Sequence, residues 1–373
     1  MKLSNEGFFV PYVDDKTCIG CRACEKACAK QETIHPQEQQ KACYEVYVND
    51  DSIRTQASSG GFCSELAKHT IQHGGYVYGV ELSDSLQAQY IEVDSEDELT
   101  KLRGSKYIQA NPNDIFRQIA KRLKERRRVL FIGTACHIKA LRARFGFKTE
   151  QITAVDIACY GIPSYNLLYS YIRELNAGGD KVRTISFKNK TRGWRNNSLK
   201  VTFESGAERI SPSSGDPFLQ GFDSRLCLNL PCYSCMREPA QRLSDITCAD
   251  YWGHADKTGD NSHKGLSCVI CHTPKGQEAL RAVEHLLTCT PISLNDCIRK
   301  NGGFVSKNEQ VPRERTHILQ QLKQSSITPV IRRYMYSQGG RKIGCQLFGF
   351  HLFIPESIYI LLRSLCRKLK KLR

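Results

Sequence analysis

Two strand-turn-helix units in direct succession constrain this chain more than any other stretch. Val129-Leu130-Phe131-Ile132 is a short apolar run that leads through Gly133-Thr134-Ala135-Cys136 into a helical pattern ending at Phe145. Residues 152–158 repeat the plan, running into Cys159-Tyr160-Gly161-Ile162-Pro163 before Ser164 caps a helix through Leu175. Short apolar strands joined by helices read as parallel and covered on both faces, hence as an α/β fold. Crossovers of this kind are right-handed, and ligands sit just beyond the carboxyl ends of the strands. Both cysteines fall at those ends. Adjacent strands about 4.8 Å apart would bring Cys136 and Cys159 within reach of one metal group. A thiol that only packs is the ordinary reading of either cysteine alone.

A second feature limits the chemistry. Cys18, Cys21, Cys24 and Cys28 follow the spacing C-x2-C-x2-C-x3-C. That spacing lets three thiolates wrap a cubane cluster through tight turns while the fourth is carried off on a helix, as in bacterial ferredoxins. Zinc more often takes separated pairs or added histidines, and disulfides need an oxidising compartment. Ala29 stands where ferredoxin runs usually have proline, and no second run precedes Cys18. The cluster is therefore closed either by Cys28 or by Cys43, or the module has lost one half. Farther on, Cys232-Tyr233-Ser234-Cys235 supplies two more thiols, which with Cys136 and Cys159 make a second iron–sulfur site. Zinc is the rival there, and Cys227 is an alternative ligand. Cys248, Cys268 and Cys271 lie in apolar strand contexts and read as core; residues i and i+3 of a strand point to opposite faces, so Cys268 and Cys271 do not chelate together.

Between these landmarks, residues 43–48, 76–82, 89–93, 184–188, 198–204 and 265–273 read as strands. Helices are expected from Phe62 to Gly74, over 114–128 with a basic end, over 216–230 and over 274–287. Ser95 and Glu98 have capping-box spacing before a short helix. Ser58-Ser59-Gly60-Gly61 opens the helix at Phe62, either as a plain cap or as a phosphate-binding turn. Residues from 313 to Ser337 read as basic and irregular. The apolar stretch 343–362 is interrupted by Gln346, His351, Pro355 and Glu356, so no membrane span is expected. Its basic end, 363–373, reads equally as a terminal helix with a solvated tail or as a segment resting on an anionic membrane surface.

The 373 residues are enough for two or three domains. The expected division is 1–40, 41–127, 128–300 and 301–373. Eighteen cysteines without a signal-like start suggest reduced thiols in the cytoplasm. An excess of 54 Lys and Arg over 38 Asp and Glu, net +16, points to an acidic partner. Nucleic acid is disfavoured, since the basic residues are scattered without a recognition helix or stacking aromatics.

Taken together and in order, several segments resemble the beta-subunit family of coenzyme F420-reducing hydrogenases and dehydrogenases. They are Asn5-Glu6-Gly7-Phe8, Ser58-Ser59-Gly60-Gly61-Phe62, Leu102-Arg103-Gly104-Ser105-Lys106-Tyr107, Gly133-Thr134-Ala135-Cys136, Cys159-Tyr160-Gly161-Ile162-Pro163-Ser164, Cys232-Tyr233-Ser234-Cys235, and Ser244-Asp245-Ile246-Thr247 with Ala249-Asp250. The resemblance spans residues 5–290. It implies a mixed-sheet, flavin-binding body with a small N-terminal ferredoxin-like iron–sulfur segment. FAD would lie against Ser58, Ser59, Gly60, Gly61, Arg103, Gly104, Ser105, Lys106, Gly133, Thr134 and Gly161. Cys136, Cys159, Cys232 and Cys235 would hold the internal 4Fe–4S cluster, and the early run a further one. Family members often have proline where this chain has Ala135, and two cluster runs where it has one.

The implied function is that of an iron–sulfur flavoprotein oxidoreductase acting on a small molecule or coenzyme. Its electrons would be exchanged with an acidic carrier such as ferredoxin. The alternative is a non-catalytic electron-relay subunit of a larger complex linked to polysaccharide biosynthesis. The expected location is cytoplasmic, with the basic tail offering peripheral contact at the inner face of the membrane.

Overall fold

The computed structural model describes residues 1–26, 28, 34–36, 41–235, 238–254, 262–304 and 309–338. Thirteen strands are present among them: β1 (Lys2–Leu3), β2 (Phe9–Val10), β3 (Ala42–Val48), β4 (Tyr76–Leu82), β5 (Ala88–Val93), β6 (Val129–Thr134), β7 (Ile152–Ile157), β8 (Val182–Asn189), β9 (Ser198–Phe203), β10 (Glu208–Pro212), β11 (Ile246–Asp250), β12 (Ser267–Cys271) and β13 (Leu287–Pro291). Eight of them form one mixed sheet in the order β13-β3-β12-β11-β7-β6-β4-β5. Its centre, β4, β6, β7 and β11, is parallel, and the remaining pairings are antiparallel. The expected neighbours are indeed neighbours: β6 and β7 pair in parallel from Val129↔Ile152 to Thr134↔Ile157.

Alternation along these strands divides the core. Val77, Leu130, Val155, Ile246 and Val269 face the helices Phe62–Gln72 and Pro274–Val283. Tyr78, Phe131 and Ala154 face the opposite way, toward helix Tyr165–Asn176 and the three-stranded sheet β10-β9-β8. Two-sided burial explains why β6 and β7 read as continuous apolar runs.

Two buried ion pairs stitch these layers. Arg142, on helix Ala135–Phe145, donates from Nη2 to Asp245 Oδ2 at 2.9 Å and from Nε to the Leu243 carbonyl at 3.0 Å. The same carboxylate accepts the Ala154 N–H at 2.8 Å and the Thr273 hydroxyl at 2.9 Å. Arg242 donates to Asp156 Oδ2 at 2.7 Å and to the Gly303 carbonyl at 2.8 Å.

The structure differs from sequence expectation in several places. The helix expected over 216–230 is only Pro217–Asp223. Arg225 turns left-handed at φ 61, and the chain beyond it bonds across to another segment, with Ser164 N–H donating to Cys227 O and Asn229 N–H to Ile162 O. Helix Ile115–Lys124 stops short of Arg128 for the same local reason, Arg126 at φ 55. The capping box does not form: Glu98 stands at the N-cap of helix Leu99–Leu102 and spends its carboxylate on Lys101 at 2.6 Å. The strand β10 follows the Ser205-Gly206 turn and was not expected. Residues 313–337 are not irregular. Helices Arg315–Gln324 and Ile327–Gln338 bury Ile318, Leu319, Leu322, Ile327 and Ile331 in the main core. The apolar stretch 343–362 and the basic end 363–373 lie outside the described residues. Among the described residues no helix is long and apolar enough to cross a membrane.

Candidate functional site

The carboxyl ends of β4, β6, β7 and β11 open onto a cavity of about 540 Å³, within the size range of small-molecule sites. Four backbone segments from different parts of the sequence meet there. Ser58, Ser59 and Gly61 come from the turn before helix Phe62–Gln72. Arg103, Gly104, Ser105 and Lys106 come from the loop after helix Leu99–Leu102, and Gly133, Thr134 and Gly161 from the ends of β6 and β7. Ten of the eleven residues expected around a flavin thus line one space. Gly60 is the exception. It stands behind the wall, its N–H donating to Ser267 Oγ at 2.9 Å, where an added Cβ would lie 2.3 Å from the Val46 carbonyl.

Each loop is held from below. Ser105 Oγ donates to Ser58 Oγ at 2.9 Å, joining the first two segments. The Lys190 ammonium donates to the carbonyls of Arg54 and Ser59 at 2.6 Å and of Lys264 at 2.7 Å. The Lys106 ammonium closes the end of helix Leu99–Leu102 through the carbonyls of Lys101, Leu102 and Arg103 at 3.2, 3.0 and 2.8 Å. Burial pulls both lysines down to about 7; at Lys190 the neighbouring Lys188 adds to the shift, and at Lys106 Glu81 opposes it. The turn caps the helix, as the plain reading expects, through its last residue. Gly61 is the N-cap at φ 95 with no side-chain cap, and Ser59 Oγ donates instead to the Leu266 carbonyl at 2.5 Å.

Unpaired polar atoms in this wall test whether a ligand fits. Arg103 Nε and Asn197 Oδ1 are buried without a hydrogen-bond partner, and both residues line the cavity. Buried polar atoms cost free energy unless something bonds to them. Asp223, also in the wall, has its carboxyl pushed up to about 6 by burial. Aromatic surface completes the enclosure. Tyr107 stacks on Phe222 at 4.9 Å between ring centres, and Trp252 stacks on Trp194 at 4.6 Å and 5°. Trp194 Nε1 and the Lys188 ammonium both donate to Asp250 Oδ1, at 3.1 and 2.5 Å. A planar, polar-edged ligand fits these donors, acceptors and ring faces.

The cysteines divide by position. Cys136 and Cys159 follow the paired ends of β6 and β7, and Cys232 is drawn toward them by the backbone bonds of 227–229 to 162–164. Cys136 is exposed to solvent. Burial raises its thiol, but His137 and Thr134 more than offset this, and it is held at about 7. Thr134 Oγ1 is 3.0 Å from Cys136 Sγ and 2.9 Å from His137 Nδ1. Cys232 is pushed up to about 12 by burial, and next by Cys159, with Cys136 and Cys235 adding to the rise. The four cysteines of the second group are therefore electrostatic neighbours. Among the described residues, however, no three Cys, His, Asp or Glu side chains are grouped so as to hold a metal ion.

Cys18, Cys21, Cys24 and Cys28 are all exposed at the N-terminal end, with Cys24 on the short helix Ala23–Lys26. Cys43, the other candidate to close that cluster, is buried in β3 against Cys297 and so belongs to the core. Cys227 is likewise fully buried in the core. Cys248, Cys268 and Cys271 pack as expected. Cys268 falls in one apolar cluster and Cys271 in another on the opposite face.

Family models for the coenzyme F420 hydrogenase/dehydrogenase beta subunit match this chain twice: the N-terminal model over residues 43–115 and the C-terminal model over residues 126–293. The chain belongs to this family. Membership places it among oxidoreductases that transfer electrons. No curated protein matches it. Among solved structures the chain is similar to one in the xenon-derivatised F420-reducing NiFe hydrogenase complex from Methanosarcina barkeri. That similarity is 18% in sequence identity, covers 87% of this chain and 99% of the other, and has a TM-score of 0.49.

Sequence reasoning missed part of the wall. Trp252, Asp223, Asn197 and the loop Lys300-Asn301-Gly302-Gly303 all line the cavity. The loop lies beyond both matched regions and is positioned by Asn301 Nδ2 donating to the Asp250 carbonyl at 2.8 Å. Its Asn-Gly-Gly turn was a visible signal. An added Cβ would lie 3.1 Å from the Tyr160 ring at Gly302 and 3.0 Å from Ala158 Cβ at Gly303, so close approach requires both glycines.

Proposed function

We propose that this chain is an iron–sulfur flavoprotein oxidoreductase that binds FAD in the 540 Å³ cavity and passes electrons between it and 4Fe–4S clusters. The observation that carries the reading is the convergence of four separate chain segments and aromatic side chains on one cavity that Cys159 also lines, with Cys136, Cys232 and Cys235 its electrostatic neighbours. FAD supplies two-electron chemistry, and iron–sulfur clusters supply one-electron transfer. The residues that would hold the flavin are Ser58, Ser59, Gly61, Arg103, Gly104, Ser105, Lys106, Gly133, Thr134 and Gly161. Cys136, Cys159, Cys232 and Cys235 would hold the internal cluster, and Cys18, Cys21, Cys24 and Cys28 the outer one.

Arg103 and Asn197, both in the cavity wall, are the polar side chains that would contact the ligand's edge. Asp223, whose carboxyl is pushed up to about 6, would take up and release a proton at the cavity wall close to neutral pH. The net charge of +16 suits docking of an acidic electron carrier such as ferredoxin. The substrate is a small molecule or coenzyme, with coenzyme F420 one member of that class. The family description as a beta subunit supports a second reading, in which the chain relays electrons to a partner polypeptide.

A direct test uses the chain's only two tryptophans, Trp194 and Trp252, stacked at the cavity wall. Titration of flavin-free protein with FAD should quench tryptophan emission saturably, and Trp252→Phe should remove most of the change. Emission indifferent to FAD contradicts the reading.

A further inference from the structure

A second cavity, of about 200 Å³, adjoins the main one, and Arg103, Gly104, Ser105 and Lys106 line both. Its remaining walls are the turn between β4 and β5 and the first half of β8. The character of this space is cationic. Arg103 and Arg183 border it with Lys101 and Lys106, against the carboxylate of Asp84 in the lining and of Glu81 nearby, and burial pulls Lys106 down to about 7. Lys101 is partly spent on Glu98 at 2.6 Å, and Lys106 on carbonyls.

The other two arginines are differently placed. Arg103 lies in the wall shared by both cavities and donates one Nη1 hydrogen bond to Gln56 Oε1, and the rest of its fork is not used in that bond. Arg183 is exposed on a bulge of β8: Val182 pairs with Phe203 and Thr184 with Thr202, so Arg183 is the extra residue. Bulges re-aim side chains and are over-represented next to functional sites. Between the two cavities stands Gly104, at φ 82, where an added Cβ would meet nothing within 4 Å.

We propose that the second cavity is an oxyanion subsite, which takes a phosphate-class group of a ligand whose planar part lies in the main cavity. Arg183 and Arg103 supply the forked donors suited to phosphate, with Ser105 and Ser186 in the same wall. The assignment of a planar part rests on the flavin reading, but the anion site does not. The group held is the pyrophosphate of the flavin itself or a phosphate on a second substrate.

The test is titration of the full chain with inorganic pyrophosphate at low salt, followed by calorimetry. Wild-type protein should bind it saturably, and Arg183→Glu should weaken binding at least tenfold. Arg183→Lys, which keeps the charge but loses the fork, should weaken binding by a smaller factor than Arg183→Glu. The control is Lys148→Glu, which makes the same change of net charge at an exposed residue outside both cavities and should shift affinity less than twofold. Matching thermal melting of all three variants to wild type excludes misfolding.

Parallel titrations with FAD and riboflavin identify the source. If the flavin's pyrophosphate is held, Arg183→Glu weakens FAD but not riboflavin. If a second substrate's phosphate is held, both flavins are unaffected while pyrophosphate binding is lost. Pyrophosphate affinity that is unmoved by Arg183→Glu, or lowered equally by Lys148→Glu, overturns the proposal. Failure of FAD to bind wild type, with pyrophosphate binding intact, would remove the flavin reading and leave the anion site standing.

Discussion

His272 is a buried imidazole with one nitrogen satisfied and one not. Its Nε2 lies 2.7 Å from Thr247 Oγ1, while Nδ1 is buried without a partner. Burial lowers its pKa to about 4; Lys41 and Arg242 push the same way, and Asp156 and Asp245 oppose them. The unfolded chain regains the ordinary value of about 6.5 and binds the proton more readily between these limits. Stability is therefore fully present above about pH 6.5 and is lost as pH falls toward 4. Urea unfolding at pH 7 and pH 5 should show wild type losing about 2 kcal/mol more than His272→Gln across that interval. Equal losses in the two proteins would mean that His272 is protonated in the fold. Nothing local in the sequence announced this residue. Its neighbours Thr247, Asp156 and Arg242 come together only through sheet order. The cavity residues were legible through the family resemblance, whose motifs fall in glycine and serine turns at strand or helix ends; the turns alone left their role open. Asn197, Asp223 and Trp252 carry no such local mark.

At the scale of elements, Asp245 is the point where helix Ala135–Phe145, β7, β11 and the start of helix Pro274–Val283 are tied together. Arg142, the Ala154 N–H and the Thr273 hydroxyl all donate to its carboxylate. Removing one partner of a buried ion pair strands the other charge, at a cost of about 3–5 kcal/mol. Asp245→Ala should lower unfolding free energy by that amount in denaturant titration, whereas a loss below about 1 kcal/mol would show that the pair is not holding the layers. The Ser244-Asp245-Ile246-Thr247 motif is thus structural in this chain. The parallel centre of the sheet was readable because β6 and β7 are apolar on both faces and end in turns. Helices Arg315–Gln324 and Ile327–Gln338 were not. Their buried residues are spaced among Arg, Gln and Lys, and the bonds that fix them reach back to other elements: Ser170 Oγ donates to Ser325 O at 2.6 Å, and Asn166 Nδ2 to Leu319 O at 3.2 Å.

Over the whole molecule, one sheet brings together what the sequence scatters. The turn at Ser58, the loop at Arg103 and the ends of β6 and β7 face a common cavity, which Cys159 also lines, and Cys136, Cys159 and Cys235 all act electrostatically on Cys232. The early cysteine run lies exposed at the far end of the chain, which suits a terminal that takes electrons from outside. The measurement that bears most directly on this account is the composition of protein purified without oxygen. Chemical analysis and absorption should find about one FAD per chain, together with iron and acid-labile sulfide in equal amounts of about four or eight of each. A colourless preparation, with neither flavin nor labile sulfide, would contradict it.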